Sequence, residues 1–141
     1  MDLAEDQMTS SKPSTPAWVR IIREADGLLG VMEFVGLPFV PKRFFWLSAV
    51  DGNAIRADHA HRTCHQILVC LAGSLTATIT NIGNEVAVYS MSAGTTIHLE
   101  PLHWLELSSF STDAVLGVVA SEPYNEDEYM TERTEFFGLS N

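Results

Sequence analysis

The sequence predicts an all-β sandwich or barrel, on three observations. Short apolar runs recur at close spacing from Trp18 onward, turn-forming residues punctuate them, and no stretch before the C-terminus carries a helical period. The first runs, 19–22 and 28–34, are split by Asp26-Gly27, and Gly36-Leu37-Pro38 closes the pair. The run 43–50 stops at Asp51-Gly52-Asn53. Next come 66–71, ended by Ala72-Gly73, and 75–81, ended by Asn81-Ile82-Gly83-Asn84. Then 85–91 gives way to Ala93-Gly94, and 95–99, 104–107 and 114–120 complete the series. Within 75–81 the parities separate cleanly: Leu75, Ala77 and Ile79 on one side, Thr76, Thr78 and Thr80 on the other, as a half-buried strand requires. Glycine and the Asn/Asp turns fall where the chain must reverse.

At 141 residues with 46% apolar side chains, the chain suits one domain with its own core. Residues 1–17, rich in Ser, Thr and Pro, read as a disordered leader, and 18–141 as a single domain. The segment 122–137 interleaves six acids and one Arg with Tyr124, Tyr129, Met130, Phe136 and Phe137. It reads as a short C-terminal helix or an ordered tail capping the barrel, with its acids forming a solvated face.

Charge narrows the partners. Eight Lys and Arg stand against 18 Asp and Glu, a formal charge of −10. That balance argues against nucleic acid, whose phosphates are neutralised by Lys and Arg, and against anionic membrane surfaces. No apolar run has the length of a transmembrane helix, and the acidic, polar N-terminus is no secretory signal. Cys64 and Cys70 fall in what reads as one strand segment, roughly 20 Å apart if extended, too far for a disulfide. They read as reduced, buried thiols of a cytoplasmic protein.

The chemistry concentrates in Arg56-Ala-Asp-His59-Ala-His61-Arg-Thr-Cys-His65-Gln66, followed by Gly73. On a strand His59 and His61 share a face, so both imidazoles can enter one cavity. Lys42, Arg43, Arg56 and Arg62 are half of the basic residues and lie close to this stretch, which makes the potential locally positive. His-x-His entering a β-barrel, with an acceptor at Gln66 and a turn at Gly73, resembles the first motif of the cupin jelly roll. The fold expected is therefore a cupin jelly-roll barrel. A metal-binding cupin places Glu where Gln66 stands and a further His where Leu105 follows Trp104, so this ligand set is poor and no metal is expected. His65 and His103 are the imidazoles that could complete one. Otherwise His65 and His98 read as structural, and His103 lies either at the barrel mouth or outside it.

From about Arg20 to Phe137 an ordered series of residues resembles one family, the dTDP-4-keto-6-deoxyglucose 3,4-ketoisomerases (FdtA/WxcM-like cupin sugar isomerases). It comprises Gly27-Leu-Leu-Gly-Val-Met-Glu33, Leu37-Pro-Phe39, Lys42-Arg43, Arg56-x-x-His59-Ala-His61 and Gln66-Ile-Leu-Val-Cys70-Leu-x-Gly73-Ser74. Toward the C-terminus follow Pro101-x-x-Trp104-x-Glu106, Asp113-Ala-Val-Leu and Ala120-Ser121-x-x-Tyr124-x-Glu126-Asp127-x-Tyr129.

The resemblance implies an isomerase that converts a dTDP-4-keto-6-deoxyhexose to its 3-keto isomer through an enediol, without cofactor. Histidine titrates in the range such proton traffic needs. His61 is expected as the carbon base and His59 as the shuttle between the oxygens, or the reverse. Substrate contacts are expected from Arg56, Arg43, Lys42, Phe45, Trp46, Gln66, His103 and Trp104. Related sequences carry a tyrosine pair where this chain has Phe45 and Trp46, so a hydroxyl is missing there. The family also implies a homodimer that exchanges N-terminal strands, 27–33 being the candidate, and a step toward amino sugars of lipopolysaccharide or a glycosylated natural product. Two rivals stay open: a cupin 3,5-epimerase on the same substrate class, and a non-catalytic sugar-nucleotide-binding cupin. The epimerase would need a tyrosine acid, and Tyr89, Tyr124 and Tyr129 are expected outside the mouth strands.

Overall fold

The computed structural model describes residues 18–140, and the leader expected at 1–17 lies outside the described residues. Strands β1 (Val19–Glu24) and β2 (Gly27–Met32) form a hairpin. Then follow β3 (Arg43–Ser48), β4 (Arg56–His61), β5 (Gln66–Ala72), β6 (Ser74–Asn81), β7 (Val86–Ser92), β8 (Thr96–Leu99), β9 (His103–Ser108) and β10 (Val115–Ala120). A 3₁₀ turn at Glu126–Glu128, the two-residue strand β11 (Tyr129–Met130) and the short helix α1 (Arg133–Phe137) end the domain. No helix among the described residues is long and apolar enough to cross a bilayer.

Two antiparallel sheets carry the jelly roll, in the orders β3-β10-β5-β8 and β11-β4-β9-β6-β7. Their inner faces meet in one core, with Leu68, Cys70, Ile97, Leu116 and Val118 from the first sheet and Leu75, Ala77, Ile79, Leu105 and Leu107 from the second. The alternation expected along 75–81 is the alternation found: Leu75, Ala77 and Ile79 are buried, and the intervening threonines half-exposed. Register explains the match, since Ala77 lies opposite both Tyr89 and Leu107, so one stripe of three strands faces inward. Each large apolar side chain buried this way contributes about 1.5–3 kcal/mol. Strand β5 departs from simple alternation because it is central in its sheet and covered on both faces.

The C-terminal segment caps the outer face of the second sheet. Met130 and Phe136 pack with Ala60 and Trp104 in a second apolar cluster. Its acids are not all solvated, as the sequence suggested. Glu128 accepts hydrogen bonds from the backbone N–H of Thr63 (2.9 Å) and Cys64 (2.8 Å) and from the Thr63 hydroxyl (2.6 Å). Glu135 pairs with Arg62 at 3.0 Å. Cys64 also differs from expectation: it sits in the turn before β5, not in the strand with Cys70. Both thiols are buried and free.

Candidate active site

Strand β4 is bent just before the His59–His61 pair. Arg56 faces Leu107 and Ala57 faces Glu106, but it is His59 that faces Leu105, so Asp58 is an extra residue in a β-bulge. Ala57 (φ 66°) and Asp58 (φ 59°) both adopt left-handed backbone there. The bulge is pinned from outside. The Asp58 carboxylate accepts from the Trp104 indole N–H (3.0 Å) and from Arg133 (2.9 Å), which also pairs with Glu106. Asp58 is therefore a structural anchor, and its pull on the neighbouring imidazole is minor.

Beyond the bulge His59 and His61 share one side, as the two-residue spacing predicts, with ring centroids 5.0 Å apart and planes 79° apart. His59 Nδ1 lies 3.0 Å from the Ala57 carbonyl. A carbonyl only accepts, so Nδ1 carries the proton and Nε2 presents its lone pair. Burial lowers the His59 pKa, against the Ala57 hydrogen bond and the Asp58 charge. His61 is 2% exposed, and neither ring nitrogen has a hydrogen-bond partner among the described residues. Burial, then His59 and Arg43, push its pKa down to about 4, with Glu128 opposing. Both imidazoles are thus held neutral at pH 7.

Arg43, at the start of β3, lies at the same end of the barrel as Gln66, because both pair with Ala120 on β10. Its guanidinium sits 5.0 Å from the Phe45 ring and 5.7 Å from Tyr124, and its buried Nε has no partner among the described residues. A half-buried guanidinium near two rings, with its Nε buried and unpaired, is suited to a phosphate or another anion. Gln66 is buried on the inner side of β5 that carries Leu68 and Cys70. His103 is half-buried on the side of β9 that carries Leu105, with Nδ1 3.0 Å from the Pro101 carbonyl.

The remaining expected contacts lie elsewhere. Lys42 is exposed beside Arg43. Arg56 is exposed at the opposite end of β4 from His61. Phe45 and Trp46 part company: Phe45 packs on the core, whereas Trp46 lies on the outer face, 60% exposed and 6.0 Å from Phe44. Trp104 is buried under Phe136 and Phe137, outside the barrel. His65 and His98 stack, with Nδ1 and Nε2 3.0 Å apart, beside Phe39 and away from the His59–His61 pair. Among the described residues no three His, Cys, Asp or Glu side chains are placed to hold a metal.

One residue corrects the sequence reading. Tyr129, expected outside the mouth strands, pairs opposite His61 through β11. Its ring lies 4.5 Å from His61 and 4.8 Å from His59, with Tyr124 5.7 Å behind it. The only sequence signal was the Tyr124-x-Glu126-Asp127-x-Tyr129 pattern; the pairing joins segments far apart in the chain, which no local periodicity reveals.

Comparison with known proteins places this geometry in context. Residues 16–141 match the profile of the family described as "FdtA: WxcM-like, C-terminal". The TDP-4-oxo-6-deoxy-alpha-D-glucose-3,4-oxoisomerase of Aneurinibacillus thermoaerophilus is 33% identical over 119 residues, covering 83% of this chain and 84% of that one. Among solved structures, a His-to-Asn variant of the 3,4-ketoisomerase QdtA from Thermoanaerobacterium thermosaccharolyticum, in complex with TDP-4-keto-6-deoxyglucose, superposes with a TM-score of 0.82. It is 27% identical, over 88% of this chain and 91% of that chain. A 3,4-ketoisomerase from Helicobacter canadensis gives a TM-score of 0.80 at 26% identity, over 88% and 94%.

Proposed function

Since the chain belongs to the FdtA (WxcM-like) family, we propose that it moves the ketone of a TDP-linked 4-keto-6-deoxyhexose from carbon 4 to carbon 3. The observation that carries the residue assignment is His61: buried, neutral, and with neither nitrogen engaged, beside a His59 whose Nε2 is free.

The carbon-4 ketone acidifies the proton on carbon 3. His61 takes that proton, the C–H electrons form the carbon 3–carbon 4 double bond, and the carbonyl electrons move onto oxygen 4. His59 Nε2 carries a proton from oxygen 3 to oxygen 4. The oxygen 3 electrons then close the new ketone, and the double-bond electrons take a proton at carbon 4 from the protonated His61, which returns to its neutral form. One carbon is oxidised and its neighbour reduced, so the reaction balances internally. The burial of His61 favours charge stabilisation by fixed groups over water. Arg43, whose buried Nε awaits an acceptor, holds the diphosphate.

We further infer a homodimer in the cytoplasm, formed through the N-terminal hairpin and serving a route to amino sugars. Leu28, Leu29 and Ile21 on the hairpin, and Phe44, Trp46 and Leu71 on the outer face of the first sheet, are all more than 40% exposed, an apolar surface that a second copy would cover.

The test is proton NMR of TDP-4-keto-6-deoxyglucose with the protein in deuterium oxide, beside His61→Asn. New 3-keto signals that disappear with the variant are expected. Deuterium at carbon 5 would instead indicate epimerisation, and binding without exchange a non-catalytic protein.

A further inference from the structure

The two nitrogens of His61 have no hydrogen-bond partner among the described residues, so no polar contact fixes the ring's orientation. His59 differs, because its ring is aimed by the Ala57 carbonyl. A base that must meet a carbon-bound proton needs its lone pair directed to within fractions of an ångström. For His61 that direction has to come from packing, and two rings supply it: His59, edge-on at 5.0 Å, and Tyr129, tilted by 54° at 4.5 Å.

Tyr129 is well placed to act as a wall. Strand β11 sets it opposite His61 on β4, and cross-strand neighbours project to the same side. The strand is anchored independently of that ring. Arg62 N–H donates to the Glu128 carbonyl (2.9 Å), the Glu128 carboxylate gathers Thr63 and Cys64, and Met130 is buried against Ala60 and Trp104. Removing the Tyr129 ring therefore leaves β11 docked and opens a gap over the imidazoles.

We propose that Tyr129 is a positioning residue for the isomerisation, its ring clamping His61 and His59 into their mutual orientation and keeping water from His61. The ring, not the hydroxyl, does this. The inference rests on the ketoisomerase reading for its kinetic consequence, but the clamp itself is testable without substrate.

Two variants separate ring from hydroxyl. Tyr129→Phe keeps the ring and is expected to hold kcat within about 3-fold of the parent. Tyr129→Leu is expected to lose kcat by roughly 10–100-fold, with a much smaller change in KM. The second readout is the titration of His61 in isotope-labelled protein without ligand. The groups facing that ring are His59 on its own strand, Glu128 and Tyr129 from the C-terminal segment, and Arg43 from β3. In the parent His61 should titrate well below the ordinary imidazole value, and in Tyr129→Leu it should move upward by about one pH unit or more as water reaches it. A merely structural role for Tyr129 would lower stability without moving that titration.

The proposal is overturned if Tyr129→Phe loses as much activity as Tyr129→Leu, or if folded Tyr129→Leu keeps kcat and the His61 titration of the parent. Should Tyr129→Leu not fold, parent protein in which His61 titrates near 6.5 would overturn it equally. If the parent fails to isomerise the sugar, the ketoisomerase reading fails, while the titration still decides the clamp.

Discussion

His59 and His61 stand 5.0 Å apart with their rings nearly perpendicular, yet only His59 is tied to the protein by a hydrogen bond. The asymmetry follows from the bulge. Left-handed backbone at Ala57 and Asp58 turns the Ala57 carbonyl back toward the residue two positions on. His61, past the bulge on regular strand, has no such carbonyl, and its burial is uncompensated. Two identical side chains on one strand face thereby become a ring with one free nitrogen and a ring with two.

This difference sets the response to pH. His61 titrates near 4 in the folded chain, against 6.5 for a free imidazole. Between those values the unfolded chain binds a proton that the folded chain does not, so stability falls as pH drops from 6.5 toward 4. The slope from this one group is at most about 1.4 kcal/mol per pH unit. Urea midpoints measured from pH 7 to 4 should decline, and His61→Asn should flatten the decline. In the same way the acid limb of kcat/KM should fall below the usual imidazole range, because the proposed base, His61, stays neutral there.

His59 can be dissected atom by atom. Asparagine puts an amide N–H near the position of Nδ1, so His59→Asn can keep the bond to the Ala57 carbonyl while deleting Nε2. Glutamine reaches the Nε2 position and gives up Nδ1. Loss of about 10²–10⁴-fold in kcat is expected for His59→Asn, with thermal stability close to the parent, since general acid–base contributions are of that order. A variant that folds normally and turns over within tenfold of the parent would remove His59 from the proton relay.

Much of this was legible in the sequence where the signal is local. The threonine alternation of β6, the turn residues and the His-x-His spacing each reflect one strand's period, and each appears in the structure. What escaped reading depends on pairing between distant segments. Tyr129 reaches His61 only because β11 folds back onto β4, and Trp104 lies outside the barrel because Asp58 and α1 hold it on the outer face. Phe45 and Trp46 illustrate the limit of treating neighbours as a pair: on a strand adjacent residues must face opposite ways, and only Phe45 faces in.

Arg43 and Trp46 should consequently separate in binding. Arg43→Ala removes the cation whose Nε lies buried and unengaged, and a hydrogen bond between charged groups contributes about 1.5–3 kcal/mol. Calorimetry with TDP should show affinity reduced by at least about tenfold and less dependent on salt. Arg43→Lys should recover only part of the loss, because an ammonium lacks the planar fork that matches two phosphate oxygens. Equal affinity in Arg43→Ala and the parent would place the diphosphate elsewhere.

In the proposed homodimer Trp46, on the outer face with Phe44, would lie in the contact between subunits. An indole 60% exposed and an adjoining Phe44 51% exposed form an apolar surface beside the buried Val69 and Val119. Replacing the indole with a charge in Trp46→Lys sets a buried cation against that face if a second copy covers it, and the cost of desolvating an unpaired charge is several kcal/mol. Sedimentation should therefore show the parent as a dimer and Trp46→Lys shifted toward monomer at micromolar concentration. The fold should survive, because the core lies on the other face of β3, where Phe45 and Leu47 point. A monomeric parent, or a variant that dimerises as tightly as the parent, would show that this surface faces water.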